Sequence, residues 1–200
     1  MLAAELVRFN VDIIVTAGSG ATVPAKAATV TIPIVMTQED DPVVNGFVAS
    51  LARPAGNITG LSKLSLEISG KRLDILKEIA PKLSRVAVFG TSTTAANARS
   101  LEEIKLAAAS INVQLQYQDV LNSRDIDTAF RAAVKGRSGP HDDGRVGCRP
   151  HRFQIVELAV KSRLPAIYEV REWVEDGGRV SYGVNLSDLN RRAATYVDKI

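Results

Sequence analysis

A single cysteine, Cys148, stands in the 200 residues, so no internal disulfide can form. That count fits a reduced cytoplasm and a disulfide-free exported protein equally well. Aromatic residues are scarce, with one Trp, four Tyr and five Phe. No stretch reaches the roughly 20 apolar residues that cross a bilayer, because Asp12, Lys26 and Glu39 interrupt even the richest region, so no direct membrane insertion is expected. The basic residues never run together, and 25 Lys and Arg against 22 Asp and Glu leave a net charge of only +3. No nucleic-acid partner is therefore expected. Met1 to Arg8 reads as a helix with Glu5 and Arg8 inside it, without the basic leader, apolar stretch and small-residue cleavage site of a signal peptide. Expressed as given, the chain would stay cytoplasmic. A chain that opens in mid-helix, with a strand immediately after, also reads as the remainder of a longer protein.

What is present is ordinary globular composition, 46% apolar and 24% charged, which excludes disordered, collagenous and low-complexity classes. The length suits one domain or two small lobes. Strand-like runs of Val and Ile alternate with helical patterns, so the fold class is α/β. The expected strands are Val11–Val15, Ile32–Met36, Arg85–Phe89, Val113–Tyr117 and Leu164–Tyr168. The first, third and fifth are nearly continuous apolar runs, as in parallel sheets covered on both faces. Helices are expected over Ala21–Val30, Ser69–Ala80, Asn97–Ser110, Asp125–Val134, Gln154–Ser162 and Leu186–Ile200. Leu73, Leu76 and Ile79 share one face of the second of these, and Leu101, Ile104 and Ala108 one face of the third.

Between Leu51 and Gly60, Pro54, Gly56 and Gly60 break helix, and a helix then leads to a fresh strand at Arg85. The expected division is a first lobe over 1–62, with 184–200 packing back on it, and a second lobe over 63–183 that includes a linker helix at 66–80. Such lobes would hold a ligand at the carboxyl ends of their sheets.

Several ordered segments resemble one family. They are Val11-Asp-Ile-Ile-Val-Thr-Ala-Gly18, Ile32-Pro-Ile-Val-Met36, Asp41-Pro-Val43, Val48-Ala-Ser-Leu-Ala-Arg-Pro54 and Gly56-Asn-Ile-Thr-Gly60. Gly70-Lys-Arg-Leu73, Leu83-Ser-Arg-Val-Ala-Val88, Leu164-Pro-Ala-Ile-Tyr168, Gly177-Gly178, Ser181-Tyr-Gly183 and Arg191-Arg-Ala-Ala194 continue the series. Together they are similar to the ABC-transporter substrate-binding lipoproteins related to tryptophan-binding components, except between about Gly136 and Arg152. The resemblance implies a type I periplasmic-binding-protein fold, two α/β lobes that close on a small molecule such as an amino acid, and delivery to an ABC permease. It implies an incomplete first lobe, truncation at both ends, and a periplasmic or lipoprotein-anchored location for the whole protein.

The residues themselves offer candidate sites, each with a plainer alternative. Thr16-Ala-Gly-Ser-Gly-Ala21 joins a strand to a helix, so Gly18 to Gly20 could turn backbone N–H groups toward a ligand carboxylate, with Ser19 adding a hydroxyl. The alternative is a plain turn with glycine chosen for backbone freedom. A dinucleotide fingerprint would need Gly where Val23 stands, although Glu39 lies at the distance of a ribose-binding acid. At the end of the second strand, Glu39-Asp-Asp41 could receive an amino group, or Asp41 simply caps a helix starting at Pro42. In the second half, Asn97 could bind a polar ligand or cap its helix. Relatives often carry Asn-Pro or Asn-Ser after that strand, where Thr91 and Ser92 stand here. Tyr168 and Tyr182 could wall a flat ligand or fill a half-buried core, and Trp173 is expected to pack its helix on the sheet. Ser19, Asp41 and Tyr182 are expected to face one pocket.

No enzyme constellation, cofactor or metal is expected. His141, Cys148 and His151, with Asp142 or Asp143, match no recurring zinc spacing. They fall where relatives carry an apolar strand. His141-Asp-Asp143 must be encoded CAY-GAY-GAY, which one base later reads as Met or Thr twice, and Gly144-Arg-Val146 shifts to small residues in the same way. A compensated frameshift over roughly 138–150 is therefore expected to have replaced a core strand by an irregular, destabilising segment. The leading function is capture of a small molecule between two lobes. A nucleotide-dependent Rossmann-like enzyme, a sensory or regulatory ligand-binding core, and a non-functional gene remnant stay open.

Overall fold

The computed structural model describes residues 2–90, 95–136, 139–142 and 148–200, with the backbone alone for 65–67, 95–100, 139–142 and 149. It divides into two compact units, Met1–Ser65 with Asn185–Ile200, and Leu66–Val184. Every described strand pairing is parallel.

The first unit runs α1 (Leu2–Arg8), β1 (Ile14–Thr16), α2 (Ser19–Ala28), β2 (Ile34–Glu39) and β3 (Ile58–Ser62). The strands form a sheet in the order β1-β2-β3. Ile14, Ile34, Met36 and Ile58 bury one cluster with Ala25 of α2 and with Phe47 and Val48 of the loop after β2. The last helix of the chain, Leu186–Val197, packs on β2 and β3. It begins at Asn185, whose side chain accepts from the Asp188 N–H, and it buries Leu189 and Ala193. Strand β3 falls in the stretch expected to separate two lobes. Its Gly60 is the reason it pairs: φ is +139°, and a Cβ there would lie 2.1 Å from the Met36 carbonyl oxygen. Only glycine admits this close approach.

The second unit runs α3 (Ser65–Ile79), β4 (Arg85–Gly90), α4 (Ala95–Ser110), β5 (Gln114–Asp119), α5 (Ser123–Gly136), β6 (Gly139–Asp142), α6 (Arg152–Lys161) and α7 (Glu172–Glu175). The Leu186–Val197 helix, which belongs to the first unit, is then α8. The sheet order is β5-β4-β6. On one side of β4, Val86 and Val88 meet Leu73 and Leu76 of α3 and Ile104 and Ala108 of α4. On the other, Phe89 meets Phe130 of α5 edge to face, with ring centroids 4.9 Å apart. Ile79 is exposed rather than part of its helix's apolar face, because it lies in the last turn of α3.

Two segments depart from the sequence expectation. Leu164–Tyr168 is no extended strand among the described residues. Tyr168 makes an isolated parallel bridge to Ser181, and Pro165 has no N–H to give a ladder. Residues 139–142, expected to be irregular, form β6 beside β4, with Ala87 opposite Pro140 and Val88 opposite His141. Ladder bonds are main-chain bonds, so a Gly-Pro-His-Asp segment can make them. Pro140 sits in an edge strand of the described sheet, where a missing donor is tolerated. The rest of the anomalous stretch, residues 137, 138 and 143–147, lies outside the described residues.

Candidate functional site

The carboxyl ends of β1 and β2 carry the polar centre of the first unit. Beta1 ends at Thr16, and Gly18, at φ +76°, swings the chain into α2 as its N-cap. The carbonyl of Gly18 accepts the first helical bonds, from the Ala21 and Thr22 N–H groups at 3.0 and 3.1 Å. The N–H groups of Ser19 and Gly20 precede those bonds and so have no helical acceptor. Nothing lies within 4 Å of a Cβ built on Gly18 or Gly20, so the turn is open on that side.

Under this turn lies Glu39, the last residue of β2, with 0% of its surface exposed. Its carboxylate is met by neutral donors. The Ser19 hydroxyl donates to Oε2 at 2.8 Å, the Thr22 hydroxyl to Oε1 at 3.0 Å, and Asn45 Nδ2 to Oε2 at 3.3 Å. Asn45 Nδ2 also donates to Ser19 Oγ at 3.2 Å. Thr16 Oγ1 lies 2.9 Å from Thr22 Oγ1. Either hydroxyl can be the donor of that pair, and Thr22 Oγ1 also lies within bonding distance of the Gly18 carbonyl at 3.1 Å. Burial pushes the Glu39 pKa above the ordinary carboxylate range, and the neighbouring Asp40 charge adds to this. The Ser19, Thr22 and Asn45 bonds pull the other way without cancelling it.

Asp41 has a local role. Its carboxylate accepts from the Val43 and Val44 N–H groups at 3.1 and 3.0 Å. The Pro42 carbonyl then accepts from Phe47 at 2.8 Å. A turn forms instead of the expected helix, since Gly46 at φ +68° takes the chain out of helical geometry after five residues. This turn carries Asn45 to Ser19.

Of the sequence-derived candidates, Thr16, Gly18 and Ser19 are brought together, and Asp41 anchors the adjoining turn. Thr22 and Asn45 escaped the sequence reading. The signal for Thr22 was its spacing three residues after Ser19 on one helix face; Asn45 offered none beyond its place in a proline turn. Glu39, weighed as a ribose or amino ligand, spends its oxygens on protein donors. Tyr168 and Tyr182 belong to the second unit, where the Tyr182 N–H donates to the Tyr168 carbonyl at 2.9 Å. Tyr168 is 2% exposed and stacks on buried Trp173, with centroids 4.9 Å apart and planes 11° apart. Tyr182 is 43% exposed, and its carbonyl accepts from Arg72 Nε at 2.7 Å. The Asn97 side chain, and residues Thr91 and Ser92, lie outside what the structure describes.

The family model for ABC transporter substrate binding proteins matches residues 1–200. A tyrosine-binding protein of Clostridioides difficile is 25% identical over 197 residues, which is 96% of this chain and 55% of that protein. Among solved structures, a conserved domain protein from Vibrio cholerae O1 biovar El Tor superposes with a TM-score of 0.88 at 27% identity. It matches 99% of this chain and 66% of its own. An ABC domain from Streptococcus pneumoniae in complex with L-Trp superposes with a TM-score of 0.87 at 19% identity, over 98% of this chain and 67% of its own. The chain thus spans about half the length of the curated relative and about two thirds of each of these two solved chains. The parallel sheets flanked by helices are those of type I periplasmic binding proteins.

Proposed function

Because this chain belongs to the ABC transporter substrate binding protein family, we propose that it holds a small amphoteric molecule, an amino acid or a close relative, for delivery to a membrane permease. The observation that carries this reading is the open start of α2. The Ser19 and Gly20 N–H groups, at the carboxyl end of the sheet, can take a ligand carboxylate. The names of two relatives, one tyrosine-binding and one solved with L-Trp, support an amino-acid ligand. In this reading the protein is a carrier and not a catalyst, works outside the cytoplasm in its full-length form, and meets its permease there. A nucleotide-dependent enzyme is not favoured, since Val23 replaces the third fingerprint glycine and Glu39 is spent on protein donors.

Isothermal titration calorimetry against the twenty amino acids and NAD tests the reading. Saturable binding of one or a few amino acids is the expected result. Binding of NAD alone, or of nothing in the panel by folded protein, overturns it.

A further inference from the structure

The second unit holds a cavity of about 330 Å³, lined among others by Arg163, Arg179, Val160, Leu164, Pro165 and Tyr168. Its size lies at the small end of the range for small-molecule pockets. Among the described residues, no Asp or Glu lines it. Among the described residues, neither arginine has a side-chain hydrogen bond or an ion pair. Both side chains are exposed; of the other arginines in this unit, Arg152 pairs with Asp176 and Arg171 with Glu175 at 3.0 Å, whereas Arg85 and Arg131 reach a carbonyl and a hydroxyl.

Both arginines sit on fixed backbone. Alpha6 ends in a closed cap in which the Leu164 N–H donates to the Ala159 carbonyl and the Arg163 N–H to the Val160 carbonyl, each at 3.1 Å. This motif places its turning residue in the left-handed region, where glycine is usual. Arg163 occupies it at φ +53°, so a strained position carries a long cation in place of the residue that would relieve the strain. Arg179 follows Gly178, where a Cβ would come within 2.7 Å of the Tyr168 ring and 2.6 Å of the Trp173 carbonyl oxygen. The backbone there is pressed onto the ring that lines the cavity.

We infer that this cavity is a second ligand site, separate from the Ser19 turn, that takes a small carboxylate with a compact apolar body. Its charge is held by Arg163 and Arg179 and its body by Val160, Leu164 and Pro165. Guanidinium groups match carboxylates in shape and charge, and the aliphatic wall favours a carboxylate with an apolar body over inorganic anions.

The test uses the 200-residue chain, with benzoate as probe and benzamide and inorganic phosphate as comparators, read by calorimetry and by NMR shifts. Benzoate is expected to bind at one site, and benzamide and phosphate at least about tenfold more weakly. Arg179→Gln should weaken benzoate about tenfold. Arg163→Gly should do the same while raising the melting temperature by about 2–4 °C, since glycine relieves the left-handed strain. Amino-acid binding in the same two variants should stay within about twofold of the parent chain, a range small beside the tenfold loss above. No benzoate binding, benzoate binding unchanged by both substitutions, or phosphate binding as tightly as benzoate overturns the inference. Loss of amino-acid binding in the same variants also overturns it, by making the two sites one, whereas a failed amino-acid panel beside intact benzoate binding counts against the proposed function alone.

Discussion

The Ser19 hydroxyl gives its proton to Glu39 Oε2 at 2.8 Å, and its oxygen accepts from Asn45 Nδ2 at 3.2 Å. Ser19 therefore faces inward with its donor already spent. What remains for a ligand anion at this turn is main-chain N–H, and for a ligand donor one lone pair on Oγ.

The first prediction concerns pH. Burial raises the Glu39 pKa in the folded chain above its ordinary value of 4.5. Between the two values the folded state binds the extra proton, so stability falls as pH rises through that window, and above it the full penalty is present. Glu39→Gln removes the titrating group. Its melting temperature should exceed that of the parent chain at pH 7, with the gap closing as pH falls toward 4.5. A variant less stable at pH 7 would show that the carboxylate is a net stabiliser.

Ser19→Ala takes one donor from the buried carboxylate. A loss of about 1–3 kcal/mol at pH 7 is expected, and less at pH 5, where more of Glu39 is protonated. Urea denaturation of the two single variants and the double variant with Glu39→Gln gives the coupling. A Ser19→Ala effect of the same size in both backgrounds would refute the pairing.

Gly60→Ala drives a methyl group into the Met36 backbone at a φ closed to alanine. The first unit should lose more than about 3 kcal/mol or fail to fold. Gly46→Ala is the control: its φ of +68° carries strain but nothing lies within 4 Å, so a cost near 1 kcal/mol is expected. Equal costs in chemical denaturation would mean that the close approach of β3 to β2 is not what requires glycine.

Phe130→Ala should cost about 3–5 kcal/mol, because the ring is buried against Phe89 on the α5 side of β4. The exposed Phe153→Ser should change stability by less than about 0.5 kcal/mol. Matching losses in denaturant melts would place the α5 face outside the core.

The runs ending β1, starting β2 and filling β4 were legible because Val and Ile mark buried parallel strands wherever they occur. Ile58-Thr-Gly60 was not, since its glycine reads as a breaker until the Met36 backbone is known to lie against it. The segment at 139–142 misled in the opposite sense: its side chains argue against a strand, but β4 is satisfied by main-chain groups. At the site, Thr16, Gly18 and Ser19 stood out as the end of a strand entering a helix. Their dependence on Asn45 was hidden, because 26 positions separate Ser19 from Asn45 and only the turn anchored by Asp41 brings them together.

The return of residues 185–200 to the first unit also sets an order of events during synthesis. The ribosome delivers β2 and β3 first, and the helix that covers them follows only after the whole of the second unit. The second unit is continuous over Leu66–Val184 and can complete its own core while the first waits. During that interval the surface destined for Leu189 and Ala193 is open to water, to chaperones and to other nascent chains. Slow delivery of residues 185–200 should therefore favour aggregation through the first unit and leave the second one folded.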